Sequence, residues 1–184
     1  VKGLVLRGID PESAPKVLSM LREIRRGSVA DLKREGTPGI VIGEELAKRL
    51  GIGLGSRVNL LSPSGEKGAT GYSPRIRPFE VVGIFKTGMF EYDATLAFVD
   101  LKAARDILGL PDGFLTGIEI MVDDVYKADV IAQSVQDTLG SPFYVRHWME
   151  MNANLFAALK LEKIGMFILL TMVVLIGSFS LVTS

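Results

Sequence analysis

There is no cysteine in this chain, and histidine and tryptophan each occur once. The missing cysteine excludes disulfides, thiolate metal sites and a cysteine nucleophile. With His147 as the single histidine, no histidine-based metal cluster can form, and a catalytic triad would have to use that one residue. Surplus charge is also missing: 21 Lys and Arg balance 21 Asp and Glu, for a formal net charge of +0. Nucleic-acid binders carry a basic surplus or stripe, so nucleic acid is not an expected partner. No secretory signal pattern is visible.

Charge is absent altogether from residues 164–184, IGMFILLTMVVLIGSFSLVTS. At ~1.5 Å per residue such a run is about 30 Å long as a helix, the thickness of a bilayer's hydrocarbon core. It is apolar all round, whereas a helix packed on a protein surface shows a polar face. A membrane-spanning helix is therefore expected. Lys160, Glu162 and Lys163 flank one end only, so the positive-inside rule does not orient it. The start at Val1 and the stop just after this run lead to the expectation of a fragment of a larger membrane protein.

What precedes the run has the mixed patterning of a water-soluble domain. Alternation in 1–8 predicts a strand, and Asp10-Pro11-Glu12-Ser13 the start of a short helix. Residues 28–39 read as a loop, 39–43 (GIVIG) as a buried strand and 44–50 as a helix with Leu46 and Leu50 on one side. Gly51, Gly53 and Gly55 then turn the chain into a strand at 57–61. Further strands are predicted at 79–85, 95–99, 117–122 and 143–146, and helices at 101–108 and 124–139. From Met149 a single helical pattern continues into the uncharged run. The fold class this implies is α+β: a mostly antiparallel sheet with packed helices over 1–148, a stalk helix over 149–163 and a transmembrane helix over 164–184.

One connection stands out. Residues 62–78, SPSGEKGATGYSPRIRP, hold three glycines and three prolines between two strands. Hairpins close in about two to five residues, and long structureless connections are usually functional or disordered. The prolines limit backbone freedom and lower the ordering cost of binding. Arg75 and Arg77 offer planar charge, and Tyr72 and Ile76 offer apolar anchors, of the kinds found at binding hot spots.

Catalytic chemistry finds little support. His147 beside Trp148 reads as a capping or packing residue at a strand-to-helix junction. The glycines of 51–55 follow a helix and precede a strand, the reverse of a dinucleotide fingerprint, and read as a helix C-cap. Gly65-Glu66-Lys67 lacks phosphate-loop spacing, Asp123-Asp124 reads as a helix start, and Glu91 with Asp93 as a turn. No catalytic residue, metal site or cofactor is expected within the chain.

Three stretches carry a resemblance: GIVIGEELAKRLGIGLGSRVNLLSPSG at 39–65, VVGIFKTGMFEYDATLAFVDLKAARDILG at 81–109, and WMEMNANLFAALKLEKIGMFILL at 148–170. Together they resemble the LolC/LolE permease family over essentially the whole chain. MacB-like and FtsX-like permeases share the domain plan but fit these words less well. The resemblance implies a MacB-like periplasmic domain followed by the second membrane span of a permease subunit. Residues 1–163 would then lie in the periplasm and the rest in the bacterial inner membrane. Such a subunit works with a cytoplasmic ABC ATPase, which holds the ATP, and with a second permease subunit. It extracts lipoproteins and passes them to a LolA-like periplasmic carrier.

The LolE members of that family have a related domain without a functioning carrier loop, whereas in the LolC members a protruding hairpin loop captures the carrier. Gly71, Pro74 and Arg77 match its pattern of Gly, Pro and Arg, while Tyr72, Arg75 and Pro78 depart from it. The implied carrier-binding residues are Gly71, Tyr72, Pro74, Arg75, Ile76 and Arg77. Trp148 lies about 24 Å above the expected span, too far for a membrane-interface tryptophan, and is expected to pin the stalk to the domain. Met151, Phe156 and Met166 join it as candidate stalk or lipid contacts, with packing against neighbouring helices as the competing reading. LolC-like, LolE-like and mixed single permeases remain open, as do a MacB-like efflux permease, an FtsX-like regulator of a cell-wall hydrolase and a membrane-anchored enzyme.

Overall fold

The computed structural model describes the backbone of residues 2–22, 24–68 and 71–183, and their side chains except for 64–68, 71–72 and 180–183. Compactness divides the chain into two units, Val1–Ile120 and Met121–Ser184.

The first unit is organised by a sheet of β1 (Val5–Ile9), β2 (Ile24–Gly27), β3 (Gly39–Gly43), β4 (Arg57–Gly68), β5 (Gly71–Phe85) and β6 (Leu96–Asp100). The order is β1-β6-β3-β5-β2, with β4 also paired to β5. β1 with β6 and β3 with β5 are parallel; β2 with β5, β3 with β6 and β4 with β5 are antiparallel. The α+β class holds, with antiparallel pairs in the majority and a parallel pair at the centre. Four helices belong to this unit: α1 (Ala14–Val17), α2 (Glu44–Leu50), α3 (Phe90–Thr95) and α4 (Leu101–Leu108).

All five residues of β3 are buried. A strand covered on both faces needs no polar side, which is why GIVIG reads as a continuous apolar run. Ile40 and Ile42 join Leu46, Phe79, Val81, Val99 and Ile107 in one core cluster. Val41, pointing the other way, joins Leu21, Leu32, Val82, Phe85 and Phe98 in the second. Phe85 and Phe98 meet edge to face with ring centroids 5.6 Å apart.

Gly43 permits a close approach: a Cβ there would lie 2.2 Å from the Asp93 carbonyl oxygen. Asp93 is itself buried, and its carboxylate accepts from Thr87 N (2.8 Å), Thr87 Oγ1 (2.8 Å) and Gly88 N (3.2 Å). The turn expected around Glu91 and Asp93 is thus a short helix, α3, locked by a structural carboxylate. α4 starts at Asp100, whose carboxylate accepts from Lys102 N, and ends at Gly109 with φ 69°.

Three predicted features differ. Residues 24–27 form β2, which the charged sequence IRRG hides. The strands expected at 117–122 and 143–146 do not form: Ile118 and Ile120 keep the alternating pattern but are exposed, with no strand beside them among the described residues. Alternation proposes a strand, and a ladder partner completes it.

The second unit, taken by itself, holds a short 3-10 turn (Val125–Lys127), α5 (Ala128–Leu139), α6 (Trp148–Met151) and α7 (Ala153–Thr183). The helix expected to run unbroken from Met149 is interrupted at Asn152. The Asn152 side-chain amide donates to the Trp148 carbonyl at 2.7 Å, a local bond of the kind that competes with regular helix. α7 is 31 residues long, and its described side chains are exposed. Among the described residues, no helix is long and apolar enough to cross a membrane. Within α7, residues Ile164 to Phe179 carry no charge.

Candidate functional site

The long connection is a hairpin rather than a structureless loop. β4 and β5 run antiparallel from Arg57↔Glu80 out to Gly68↔Gly71. β3 reaches β5 only from Glu80 onward, and β2 only from Gly83 to Phe85. Beyond that line β5 pairs with β4 alone among the described residues. The pair leaves the sheet as a two-stranded arm whose β5 side, 71–78, extends roughly 25 Å at ~3.3 Å per residue. Two-stranded ribbons are marginal by themselves, and this one is anchored because both strands continue into the core through Leu60 and Phe79.

The prolines explain how a hairpin hides in such a sequence. Between Ser62↔Arg75 and Glu66↔Ser73 the register shifts, setting residues 63–65 of β4 against residue 74 of β5. Pro63 and Pro74 both lie in that interval. Neither has an N–H to give a ladder, so the irregularity falls where donors are missing.

Side chains alternate across the ribbon. Leu60, Ser62, Arg75 and Arg77 share one face through the pairs Leu60↔Arg77 and Ser62↔Arg75. On this face Leu60 and Ser62 are buried, Arg75 is partly buried and Arg77 is exposed. Arg75 Nη1 donates to the Asp106 carbonyl near the end of α4 at 3.1 Å. A cation suits the carbonyl end of a helix, so Arg75 braces the base of the arm against the domain. The opposite face carries Leu61 directly across from Ile76, 55% and 57% exposed, with Asn59↔Pro78 one pair below.

Of the predicted carrier-binding residues, Pro74, Ile76 and Arg77 therefore lie exposed along the arm, and Arg75 turns inward. The backbones of Gly71 and Tyr72 pair with Gly68 and Lys67 near the tip. The side chain of Tyr72 lies outside the described residues. Leu61 escaped the sequence reading because its role depends on register: only the hairpin places it opposite Ile76. Among the described side chains the arm presents an apolar pair, prolines and the exposed guanidinium of Arg77, an arrangement that can dock a partner.

In the second unit, Trp148 Nε1 donates to the Val125 carbonyl at 2.9 Å, and its ring meets Phe156 edge to face at 5.3 Å. Trp148 thus fastens α6 and the start of α7 to the turn before α5. Met151 and Met166 do not join this contact; both are exposed. Tyr144 donates to Glu150 Oε1 at 2.9 Å, and that bond to a carboxylate holds the phenol above its ordinary pKa.

Residues 2–138 match the family model of the MacB-like periplasmic core domain. The chain is similar to the lipoprotein-releasing system transmembrane protein LolC of Xylella fastidiosa (strain Temecula1), with 35% identity over 180 residues, 98% of this chain and 43% of that protein. The LolC protein of Neisseria meningitidis serogroup B is 33% identical over 185 residues, 100% of this chain and 44% of that protein. The LolE protein of Haemophilus influenzae is 22% identical over 185 residues, with the same coverage of 100% and 44%. The chain therefore spans less than half the length of these curated relatives.

Proposed function

Because this chain belongs to the MacB-like periplasmic core domain family, we propose that it is the periplasmic part and adjoining membrane helix of a permease subunit in a lipoprotein-releasing ABC transporter. Similarity to LolC proteins over 98–100% of the chain supports this reading. In it, the uncharged part of α7 crosses the inner membrane and the residues before it lie in the periplasm. ATP is hydrolysed by a separate cytoplasmic ATPase subunit, and a second permease subunit completes the assembly. The fragment performs no bond chemistry.

The observation that carries the finer reading is the β4–β5 arm, which leaves the sheet with Leu61 and Ile76 exposed on one face. We assign it to capture of a LolA-like periplasmic lipoprotein carrier, with Ile76, Leu61, Pro74 and Arg77 in contact and Arg75 bracing the base. Gly71 and Tyr72 would supply the tip. Trp148 and Phe156 hold the start of α7, and Met151 and Met166 are proposed as contacts for the lipid chains or for neighbouring helices. The higher identity to LolC than to LolE supports a carrier-binding arm.

The test is photocrosslinking from position 76 in the intact permease in its native membrane. An adduct with the lipoprotein carrier is the expected result. With the domain shown to be folded, no adduct would overturn carrier capture and leave a LolE-like subunit or an efflux-type permease.

A further inference from the structure

We propose that the cleft between the edge strand β2, the end of β5 and helix α2 binds a phosphate-bearing anion. The cleft encloses about 480 Å³. Ile52 contributes the partly exposed apolar side, and Ile84 and Phe85 close the floor from within the core. Four cations, Arg25, Arg26, Lys48 and Lys86, line it with Glu44 as the single carboxylate.

Two adjacent strand residues normally point to opposite faces, so neighbouring arginines should not share a cleft. A bulge resolves this. Ile24 pairs with Phe85 and Arg26 with Ile84, setting two steps of β2 against one of β5 and leaving Arg25 as the extra residue. Bulges re-aim side chains in this way, and they recur at sheet edges next to functional sites. The result is two guanidinium groups on the rim of one concavity.

That neither has a partner among the described residues is the second observation, one they share with Arg57 and with Arg77 on the arm; what sets them apart is that both line one cleft. Elsewhere on this unit, Arg7 meets Glu119 and Arg34 meets Glu80. Arg22, Arg75 and Arg105 donate to main-chain carbonyls, and Arg49 lies over the Phe90 ring. Among the described residues, Arg25 and Arg26 have neither carboxylate, carbonyl nor ring. Glu44 pairs with neither of them: its Oε2 lies 2.9 Å from Lys86 Nζ and 3.5 Å from Lys48 Nζ, and Lys48 is held more closely by Glu45 Oε1 at 2.9 Å. Glu44 thus faces Lys86, and among the described residues the two arginines keep their charge uncompensated.

The chemistry this fits is a tetrahedral oxyanion. Guanidinium forks match phosphate oxygens in pairs, and ammonium groups add point charge; Ile52 offers apolar contact to a stem attached to the phosphate. Free phosphate and a phospholipid headgroup share that chemistry. The inference is independent of the carrier reading, since the cleft and the arm have no residue in common.

The experiment titrates the full chain, held in zwitterionic detergent micelles, with inorganic phosphate and separately with phosphatidylglycerol doped into the micelles. Saturable binding to at least one probe is expected. Saturation by inorganic phosphate assigns a free anion, and saturation by the lipid alone assigns a headgroup. Arg25→Gln with Arg26→Gln should weaken binding roughly tenfold or more, as loss of charge-assisted bonds does. Glu44→Gln should strengthen it, and thermal melting would verify that each variant is folded. No saturable binding to either probe, or binding that survives the double arginine substitution unchanged, would overturn the proposal.

Discussion

Leu61 and Ile76 stand directly opposite one another in the β4–β5 ladder, and each is more than half exposed. An apolar cross-strand pair on the solvent face of a narrow arm contributes little to the fold, because little area is buried. Leu61→Ser with Ile76→Ser is expected to change stability by only about 0.5 kcal/mol, as surface substitutions do. It should nevertheless abolish lipoprotein transfer in a reconstituted release assay. Transfer at the unsubstituted rate would remove the arm's apolar face from the mechanism.

Arg75 and Arg77 lie two residues apart on one face yet are expected to behave differently. Arg75→Ala loses the bond to the Asp106 carbonyl and should cost about 1 kcal/mol, measured by denaturant unfolding. Arg77→Glu, at an exposed position, should leave unfolding unchanged and suppress carrier capture. The same outcome for both would mean that the brace and the contact surface have been assigned wrongly.

Asp93 holds three donors from Thr87 and Gly88 in a buried setting. Asp93→Ala should destabilise the domain by about 3 kcal/mol, since buried donors lose their acceptor. Gly43→Ala, whose new methyl would collide with the Asp93 backbone, should cost about 1–3 kcal/mol by overpacking. The measurement is a pair of melting curves. Wild-type stability in Gly43→Ala would show that α3 can shift away from β3.

The pH dependence of folding should come largely from two carboxylates. Glu44 is held below the usual carboxylate range first by its bond to Lys86, and Asp10 first by the Ser13 hydroxyl and then by Lys33. A folded pKa below the unfolded one gives stabilisation that is present above the ordinary carboxylate value and lost as pH falls through the depressed value. Stability should therefore drop between about pH 5 and pH 2. Asp10→Asn with Glu44→Gln should flatten that slope in melting curves recorded across the range. Parallel curves for variant and wild type would place the effect elsewhere.

The core was readable from the sequence because its signals are local. The run GIVIG, the Leu46–Leu50 spacing and the helical stretch 101–108 predicted β3, α2 and α4 with their observed limits. Signals that depend on a partner were not readable. β2 is a charged edge strand whose existence rests on β5, and Pro63 and Pro74 concealed a ladder that skips them. The alternation of 117–122 predicted a strand for which no neighbour is present among the described residues. The candidate site followed the same rule: Ile76 and Arg77 were visible as residue types, whereas Leu61 and the bracing role of Arg75 required register and the position of α4.

β5 runs without interruption from the tip of the arm at Gly71 to Phe85 in the middle of the sheet. On its β5 side the arm is therefore continuous with the sheet, its ladder to β4 broken only at the register shift opposite Pro74. A load applied at its tip travels along the strand axis and reaches the ladders with β3 and β2 as shear, spread over many hydrogen bonds at once, the direction in which a sheet yields least. Whatever grips the ribbon pulls on the domain's central beam, and a displacement of the domain is delivered to that partner without slack.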